Sequence, residues 1–454
     1  MRAMIAVIRD YIPFYKRNIR LAVPVMITQA GQVFVQMVDN VMIGHLGTAQ
    51  FAGASFANSI FLIGMVFCTC FTQGLTPFVG QCYGKGEHHK VTEYFKSSFV
   101  LDIAVSLVVV ALLLAIIPFM GHMGQDSDIL VYAKEYYVTI TLSLIPFAMF
   151  FAIRNFSEGI GITKYAMYIT VAANLLNVFL NWVFIYGKMG APEMGVKGAA
   201  FSTLICRILM FVAFAILIFI IKDYKRFTSG IRAPFLNLGL IREMFPTSLS
   251  IALQGLAEMV AFSLSGIMMG WFGKIALAAH QCTTLMSTCS FMIAQGIGAA
   301  ATIRVSHQFG EKRYEDTQKA GFAAMHMAVV FMGICGIIYI IFRKSLPYIF
   351  STDPQVVELA SQLIVIMATY QVFDAMQLTN GASLRALKDV KLPLLYLCIS
   401  YYVISLPLGY FCAKYLNFGP AGIWFGLVIG LMCVAFLFFF RFKKKTDGYI
   451  KGRF

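Results

Sequence analysis

The chain has 454 residues, of which 59% are hydrophobic and 13% are charged, and its mean hydropathy is +0.77. Because an average soluble domain is roughly 25% charged, this composition excludes an ordinary soluble protein and indicates a membrane protein. The net charge of +15 would suggest a nucleic-acid partner for a soluble chain. Here the basic residues lie in short loops between apolar segments, so no nucleic-acid partner is predicted.

Apolar runs long enough to cross a bilayer as helices recur along the whole chain, and each crossing takes about 20 mostly apolar residues. The runs lie near residues 20–43, 52–80, 94–120, 130–153, 163–187, 197–222, 243–270, 276–304, 318–342, 355–383, 391–416 and 420–441. They predict an all-α polytopic membrane protein with about 12 transmembrane helices. The ten cysteines are scattered, which is typical of neither a disulfide framework nor a zinc site.

The distribution of Lys and Arg predicts the orientation of the chain. If the N-terminus is cytoplasmic, 28 of the 36 basic residues lie on the cytoplasmic side, 7 lie on the other side, and Arg207 lies inside a span. Cytoplasmic loops carry the excess of basic residues, so both termini are predicted to be cytoplasmic. The N-terminal stretch has no small-residue cleavage site and is interpreted as an amphipathic lead-in to the first span.

The longest polar interval lies near the midpoint of the chain and separates two sets of six spans. It predicts an N-lobe over residues 1–222, a cytoplasmic linker over residues 223–242 and a C-lobe over residues 243–454.

The two halves also resemble each other in sequence. Residues 42–47 align with 268–273 and Tyr83-Gly84 aligns with Phe309-Gly310 at an offset of 226, and residues 195–198 align with 419–422 at an offset of 224. An even number of spans per half makes the repeat parallel, which predicts two six-helix lobes related by a pseudo-twofold axis along the membrane normal. Transporters built this way place the substrate between or within the lobes and rock between two openings.

In the first half, Asp39 is an ionisable residue inside an apolar span, where a charge is costly and is a functional candidate by default. Gln32 and Gln36 share its helical face because they lie seven and three residues before it. Asn174, Asn177 and Asn181 on span five and Thr203 on span six offer further oxygens. Such a set suits a hard monovalent cation or a proton; alternatively, the amides only hydrogen-bond helices together.

In the second half, Glu258 lies in the middle of span seven with Gln254 one turn before it, and Asp374 lies in span ten between Gln371 and Gln377. The acids are not equivalent in the repeat, since Asp39 corresponds to Ser265 and Glu258 corresponds to Gln32 at the offset of 226. The two halves therefore share a scaffold and differ in chemistry.

Other intramembrane charges are interpreted as structural. Asp102 is only about two turns into its span and is expected to reach the cytoplasmic interface. Arg207 is expected to pair with a carboxylate or a carbonyl, and His280 to be a hydrogen-bonded core residue. No phosphate-binding loop, clustered metal motif or nucleophile elbow is found in the sequence, so neither ATP drive nor an enzyme is predicted, and no catalytic residue is assigned.

Several segments together resemble the multidrug and toxic compound extrusion (MATE) transporters and, within them, the bacterial NorM type. The segments are Val38 to Gly47, Ala278 to Gln281, Thr302 to Val305 and, most specifically, Tyr370 to Asp389. The family usually has Thr where this chain has Asn40, and often has a second acid on span five where this chain has Asn181. The resemblance covers essentially the whole chain, including the plan of twelve spans in two lobes.

The resemblance implies a secondary antiporter that exports amphipathic organic cations by alternating access in exchange for Na⁺ or H⁺, with no other cofactor. The acidic pair Glu258 and Asp374, or the cluster of Asp39, Asn177, Asn181 and Thr203, would hold the coupling cation. The candidate residues are Glu258, Asp374, Gln254, Gln281 and Tyr370 in the C-lobe and Asp39, Asn177, Asn181, Thr203 and Gln36 in the N-lobe.

The expected setting is the bacterial cytoplasmic (inner) membrane, where the protein would be a multi-pass monomer. Its expected partners are cationic small molecules and membrane lipids. The alternative function is a flippase of related fold for a lipid or a lipid-linked sugar. A flippase would need a wide basic cavity for phosphate, whereas the predicted midplane groups are mainly acidic.

Overall fold

The computed structural model describes residues 2–232 and 237–453. The side chains of residues 2–9, 228, 229, 231 and 232 are outside this description, as are all atoms of residues 233–236, which belong to the predicted linker. The part of the chain described is helical, with turns and short connections between the helices and no strand.

The α-helices are α1 (Arg2–Gly44), α2 (Thr48–Thr72), α3 (Leu75–Gly84), α4 (His88–Leu114), α5 (Ser127–Leu142), α6 (Leu144–Gly159), α7 (Lys164–Ile185), α8 (Gly195–Ile220), α9 (Lys225–Arg232), α10 (Leu238–Gly270), α11 (Lys274–Gly310), α12 (Tyr314–Ile341), α13 (Pro354–Ala386), α14 (Lys391–Cys398), α15 (Leu406–Lys414) and α16 (Pro420–Ile450). A π-helical segment, Ile399–Ser405, joins α14 to α15. Within the described ranges, 12 helical stretches are long and apolar enough to cross a membrane. The predicted all-α fold with about 12 spans is confirmed.

The internal repeat is visible in the positions where helices begin and end. The pairs that differ by 226 residues are the ends of α1 and α10 at Gly44 and Gly270, the starts of α2 and α11 at Thr48 and Lys274, and the starts of α4 and α12 at His88 and Tyr314. Gly195 and Gly419, aligned at the offset of 224, both have left-handed backbone, with φ of 54° and 56°. Glycine adopts this conformation without a steric penalty, so the repeat preserves the turns as well as the helices.

The chain divides into two compact units. Ile27–Ala252 form the first, called the N-unit below. The chain from Leu253 onward, together with its beginning through Met26, forms the second, called the C-unit. The unit boundaries therefore cut α1 and α10, again 226 residues apart, whereas the predicted lobe boundaries fall between spans.

The first part of α1 belongs to the C-unit and the first part of α10 belongs to the N-unit. Side chains near the predicted cytoplasmic ends attach each of these segments to its unit. In the C-unit the contacts from α1 to α12 are Asp10 with Lys319 Nζ at 3.3 Å, the Tyr15 hydroxyl with His326 Nδ1 at 3.2 Å, and Asn18 Nδ2 with the Ala320 carbonyl at 3.3 Å. In the N-unit the Tyr94 hydroxyl on α4 donates to Glu243 Oε2 on α10 at 2.8 Å. Each unit thus holds the first part of the helix whose second part belongs to the other unit.

Candidate cation sites within the two units

Glu258 lies on α10 inside the C-unit and is held by donors from two other helical segments. Its Oε1 accepts a hydrogen bond from Gln377 Nε2 at 2.9 Å and lies 3.3 Å from the Tyr401 hydroxyl. The same hydroxyl lies 3.1 Å from Gln377 Oε1. Both hydrogen-bond partners of Glu258 are neutral and both reach one oxygen, so they orient the carboxylate, and Arg385 on α13 attracts it electrostatically.

Tyr401 reaches Glu258 from the π-helical segment within the eleventh span. The segment ends two residues before Pro407, which lacks an N–H group and whose ring would clash with the carbonyl four residues earlier in a regular α-helix. A widened turn avoids that clash, and single π turns are frequent at functional sites. The neighbouring Tyr402 donates its hydroxyl to the Ala257 carbonyl at 2.7 Å, which fastens this turn to α10 beside Glu258.

Asp374 lies on α13 of the C-unit, and its side chain is the more isolated of the two acids. It is 2% exposed and has no hydrogen bond or ion pair with any residue that the structure describes. Glu258 opposes it electrostatically. One turn earlier, the buried ring of Tyr370 packs edge-on against Trp424 with centroids 6.0 Å apart. An ionised carboxylate in such surroundings is costly unless a proton or a cation accompanies it.

The other C-lobe candidates lie elsewhere. Gln254 is buried and donates to the Val390 carbonyl at 2.9 Å, so it connects α10 to the start of α14. Gln281 is exposed on α11. Gln371 donates to Ser290 Oγ at 2.9 Å. The structure therefore brings together Glu258, Gln377 and Tyr401, with Asp374 and Tyr370 nearby, and the predicted roles of Gln254 and Gln281 stay predictions.

Asp39 and two asparagines form the corresponding cluster of the N-unit. Asn181 Nδ2 on α7 lies 2.5 Å from Asp39 Oδ1 and 3.2 Å from Asn177 Oδ1. The amide group is fully buried and lies between two oxygens, where it supplies the positive dipole that a hard cation would otherwise supply. Unlike Asp374, Asp39 therefore has an internal donor.

Two further N-lobe candidates have no described contact with this cluster. The Thr203 hydroxyl donates to the Ala199 carbonyl of its own helix at 3.0 Å, and Gln36 is exposed. Arg207, expected to pair with a carboxylate or a carbonyl, instead donates Nη1 to Ser143 Oγ at 2.7 Å and lies over the Phe147 ring at 4.3 Å.

Asp102, expected to reach the cytoplasmic interface, has a side chain that is 2% exposed and accepts from Ser98 Oγ at 3.1 Å within the N-unit. The sequence also gave no sign of Tyr401, since a tyrosine in an apolar span usually fills space.

Within the described residues no three His, Cys, Asp or Glu side chains come together as a transition-metal site requires. The candidate sites are acids with amides and hydroxyls, which suit Na⁺ or H⁺.

Comparisons with known proteins agree over most of the chain. The model of the MatE family matches residues 24–183 and 250–411. The multidrug resistance protein NorM of Vibrio cholerae serotype O1 is 31% identical over 434 residues, covering 92% of this chain and 93% of that protein. The multidrug resistance protein MdtK of Yersinia pestis is 28% identical over 455 residues, covering 98% of this chain and 99% of that protein.

Solved structures show the same fold at lower identity. The crystal structure of the eukaryotic MATE transporter AtDTX14 has a TM-score of 0.85 at 18% identity, covering 97% of this chain and 98% of that one. An outward-facing conformation of a multidrug resistance MATE family transporter of the MOP superfamily has a TM-score of 0.87 at 19% identity, covering 96% of this chain and 97% of that one.

Proposed function

This chain belongs to the MatE family of membrane transporters, and we propose that it exports amphipathic organic cations in exchange for inward Na⁺ or H⁺. The observation that carries the proposal is Asp374, a buried carboxyl without a hydrogen bond among the described residues and beside a second acid, Glu258. A desolvated carboxyl favours its neutral or cation-paired form. The pair is therefore suited to a cation that arrives and leaves.

Antiport results if the drug cation and the coupling ion compete for the negative charge of Glu258 and Asp374. Each ligand has to bind one of two conformations more tightly, because a ligand with equal affinity for both shifts no equilibrium. We assign the coupling ion to Glu258 and Asp374, since Asp39 already accepts from Asn181 at 2.5 Å. Asp39 would then respond to the drug or to a second proton.

The proposed setting is the one predicted from the sequence. The 12 candidate spans and the bacterial relatives support a multi-pass protein of the bacterial inner membrane. We propose cytoplasmic termini, a monomer, and cationic small molecules and lipids as partners. A lipid flippase is less well supported, because it would need a wide basic cavity for phosphate, whereas the charged groups predicted at the membrane midplane are mainly acidic.

Transport by the purified protein in liposomes tests the proposal. An imposed Na⁺ gradient and an imposed proton gradient are applied separately, and movement of a fluorescent organic cation is followed. We expect transport under at least one of the two gradients and none under a K⁺ gradient of equal size. Transfer of a fluorescent lipid between leaflets without any movement of the organic cation would instead support the flippase.

Tyr401→Phe tests the oriented carboxylate. The variant removes the hydroxyl that lies 3.3 Å from Glu258 Oε1, and a hydrogen bond to a charged group contributes about 1.5–3 kcal/mol. We expect the concentration of coupling ion for half-maximal transport to rise about tenfold. Tyr402→Phe is the matched control, since its hydroxyl donates to a backbone carbonyl; it should lower thermal stability and leave that concentration unchanged. Equal ion dependence in both variants would contradict this role of Tyr401.

A further inference from the structure

Arg304 is a partly buried cation, and no acid among the described residues forms a hydrogen bond with it. It lies on α11 of the C-unit, and its Nε and Nη2 atoms are buried with no acceptor among the residues that the structure describes. The parts of the sequence left out of that description contain no Asp or Glu. An arginine keeps its charge in proteins, and buried donors without acceptors are costly. The site thus calls for an acceptor from outside the chain.

A second cation acts electrostatically on Arg304. Arg17 lies on the part of α1 that belongs to the C-unit, and it opposes Arg304 electrostatically. The two helices are held close together, because a Cβ on Gly296 of α11 would lie 2.7 Å from the Met26 backbone nitrogen of α1. Glu311 and Asp316 attract Arg304 only at longer range, and Glu311 pairs with Arg313 at 3.5 Å. Two like charges that repel each other across neighbouring helices favour an anion.

The repeat shows how the N-unit fills the equivalent positions without a ligand. At the offset of 226, Arg17, Arg304 and Ala320 correspond to Glu243, Phe78 and Tyr94. In the N-unit the rings of Phe78 and Tyr94 pack with centroids 5.2 Å apart, and the Tyr94 hydroxyl donates to Glu243 at 2.8 Å. The C-unit has replaced two rings and a carboxylate by two guanidinium groups and a methyl group.

The depth of Arg304 indicates the kind of anion. It lies 12 residues beyond Met292, the midpoint of α11, or about 18 Å along the helix. The hydrocarbon half-thickness of a bilayer is about 15 Å, so a centred α11 places Arg304 at the level of the lipid headgroups. Paired guanidinium groups match the geometry of phosphate oxygens, and basic pockets between membrane helices bind anionic headgroups.

We propose that Arg304 and Arg17 form a binding site for a phosphate oxyanion, separate from the acids Glu258 and Asp374. An anionic phospholipid headgroup and free phosphate share this chemistry. Bound there, the anion would neutralise both cations and hold the first part of α1 against α11. The site would make the stability of the C-unit depend on the anion.

The test follows thermal unfolding of the full-length protein in neutral detergent. One arm adds dioleoylphosphatidylglycerol, with dioleoylphosphatidylcholine as the zwitterionic reference, and the other adds inorganic phosphate, with chloride at equal ionic strength as the reference. R304Q and R17Q are compared with R313Q, whose arginine side chain is 62% exposed at the turn after α11. Arg17 is exposed, so R17Q carries the test if R304Q does not fold.

We expect the anion to raise the Tm of the wild-type protein and of R313Q. In R304Q and R17Q its apparent Kd should rise about tenfold or more, because a charge-assisted hydrogen bond is lost. A shift that depends on Arg304 with phosphatidylglycerol supports the lipid source, and one with phosphate alone supports the free anion. No shift in either arm, or equal shifts in all variants, overturns the proposal. Transport is not measured, so the outcome is independent of the proposed antiport.

Discussion

Asp374→Asn is expected to reduce gradient-driven efflux of organic cations to the level of liposomes without protein. The variant keeps the shape of a side chain that is 2% exposed and removes the charge that attracts a cation. Removing one partner of a buried charge pair typically costs about 2–5 kcal/mol, so affinity for the coupling ion should fall on the order of 100-fold. Because exchange requires both ligands to use the acid, maximal transport should be lost as well.

Glu258→Gln should have the same effect, since the two acids share one cation in the proposed mechanism. Glu358→Gln is the matched control on the same helix as Asp374: its side chain is exposed and, among the residues that the structure describes, accepts a hydrogen bond from Gln362 alone, at 3.3 Å. All three variants should reach the membrane in equal amounts, as measured by immunoblot. Normal efflux by Asp374→Asn and Glu258→Gln would refute the assignment of the coupling site to the C-unit.

The acids were predictable from the sequence because a charge in an apolar span is conspicuous. Glu258, Asp374 and Asp39 each stand out on hydropathy alone, and the approximate positions of the twelve spans follow from the apolar runs. Gln377 was recognised as a neighbour of Asp374 in sequence, but its amide hydrogen-bonds Glu258 on another helix. Spacing along one helix specifies a face and does not specify which helix that face meets.

The role of Tyr401 and the positions of the unit boundaries could not be predicted from the sequence, for different reasons. A tyrosine in an apolar span is compatible with packing, lipid contact or hydrogen bonding, and only the π turn before Pro407 selects the last. The boundary after Met26 cuts a continuous helix. Because α1 continues as a helix through that boundary, the local sequence does not indicate the unit against which each part packs.

Basic residues near the ends of spans were also difficult to place from the sequence. Arg154 and Arg304 were both counted with the cytoplasmic loops, because a hydropathy window ends where charges begin. The structure places both within helices, and the Arg154 side chain is 7% exposed. The orientation inferred from the basic residues still rests on the many exposed loop lysines and arginines, whereas Arg154 pairs with Glu158 and Arg304 is proposed to bind an anion.

Arg154 forms a buried ion pair with Glu158 on α6 of the N-unit, and breaking it should destabilise the protein strongly. Nε and Oε1 are 2.6 Å apart, and both side chains are 7% exposed. Removing one partner of a buried pair leaves an uncompensated charge, which costs about 3–5 kcal/mol. Glu158→Gln and Arg154→Gln should each lower the free energy of unfolding by that amount, as measured by denaturant titration in detergent.

The double variant separates the value of the pair from the cost of an orphaned charge. Arg154→Met with Glu158→Leu removes both charges and keeps most of the volume, so its stability should return to within about 1 kcal/mol of the wild-type protein or exceed it. Glu87→Gln is the exposed comparison, since Glu87 pairs with Lys90 at 3.1 Å with side chains 38% and 57% exposed, and its cost should stay below about 1 kcal/mol. Arg154 and Glu158 lie one turn apart on the same helix, so they stay paired when α6 separates from its neighbours as a helix. The single variants therefore lose stability because the remaining charge is buried without a partner in the folded protein. Additive losses in the double variant would show instead that each side chain is stabilised by its other contacts.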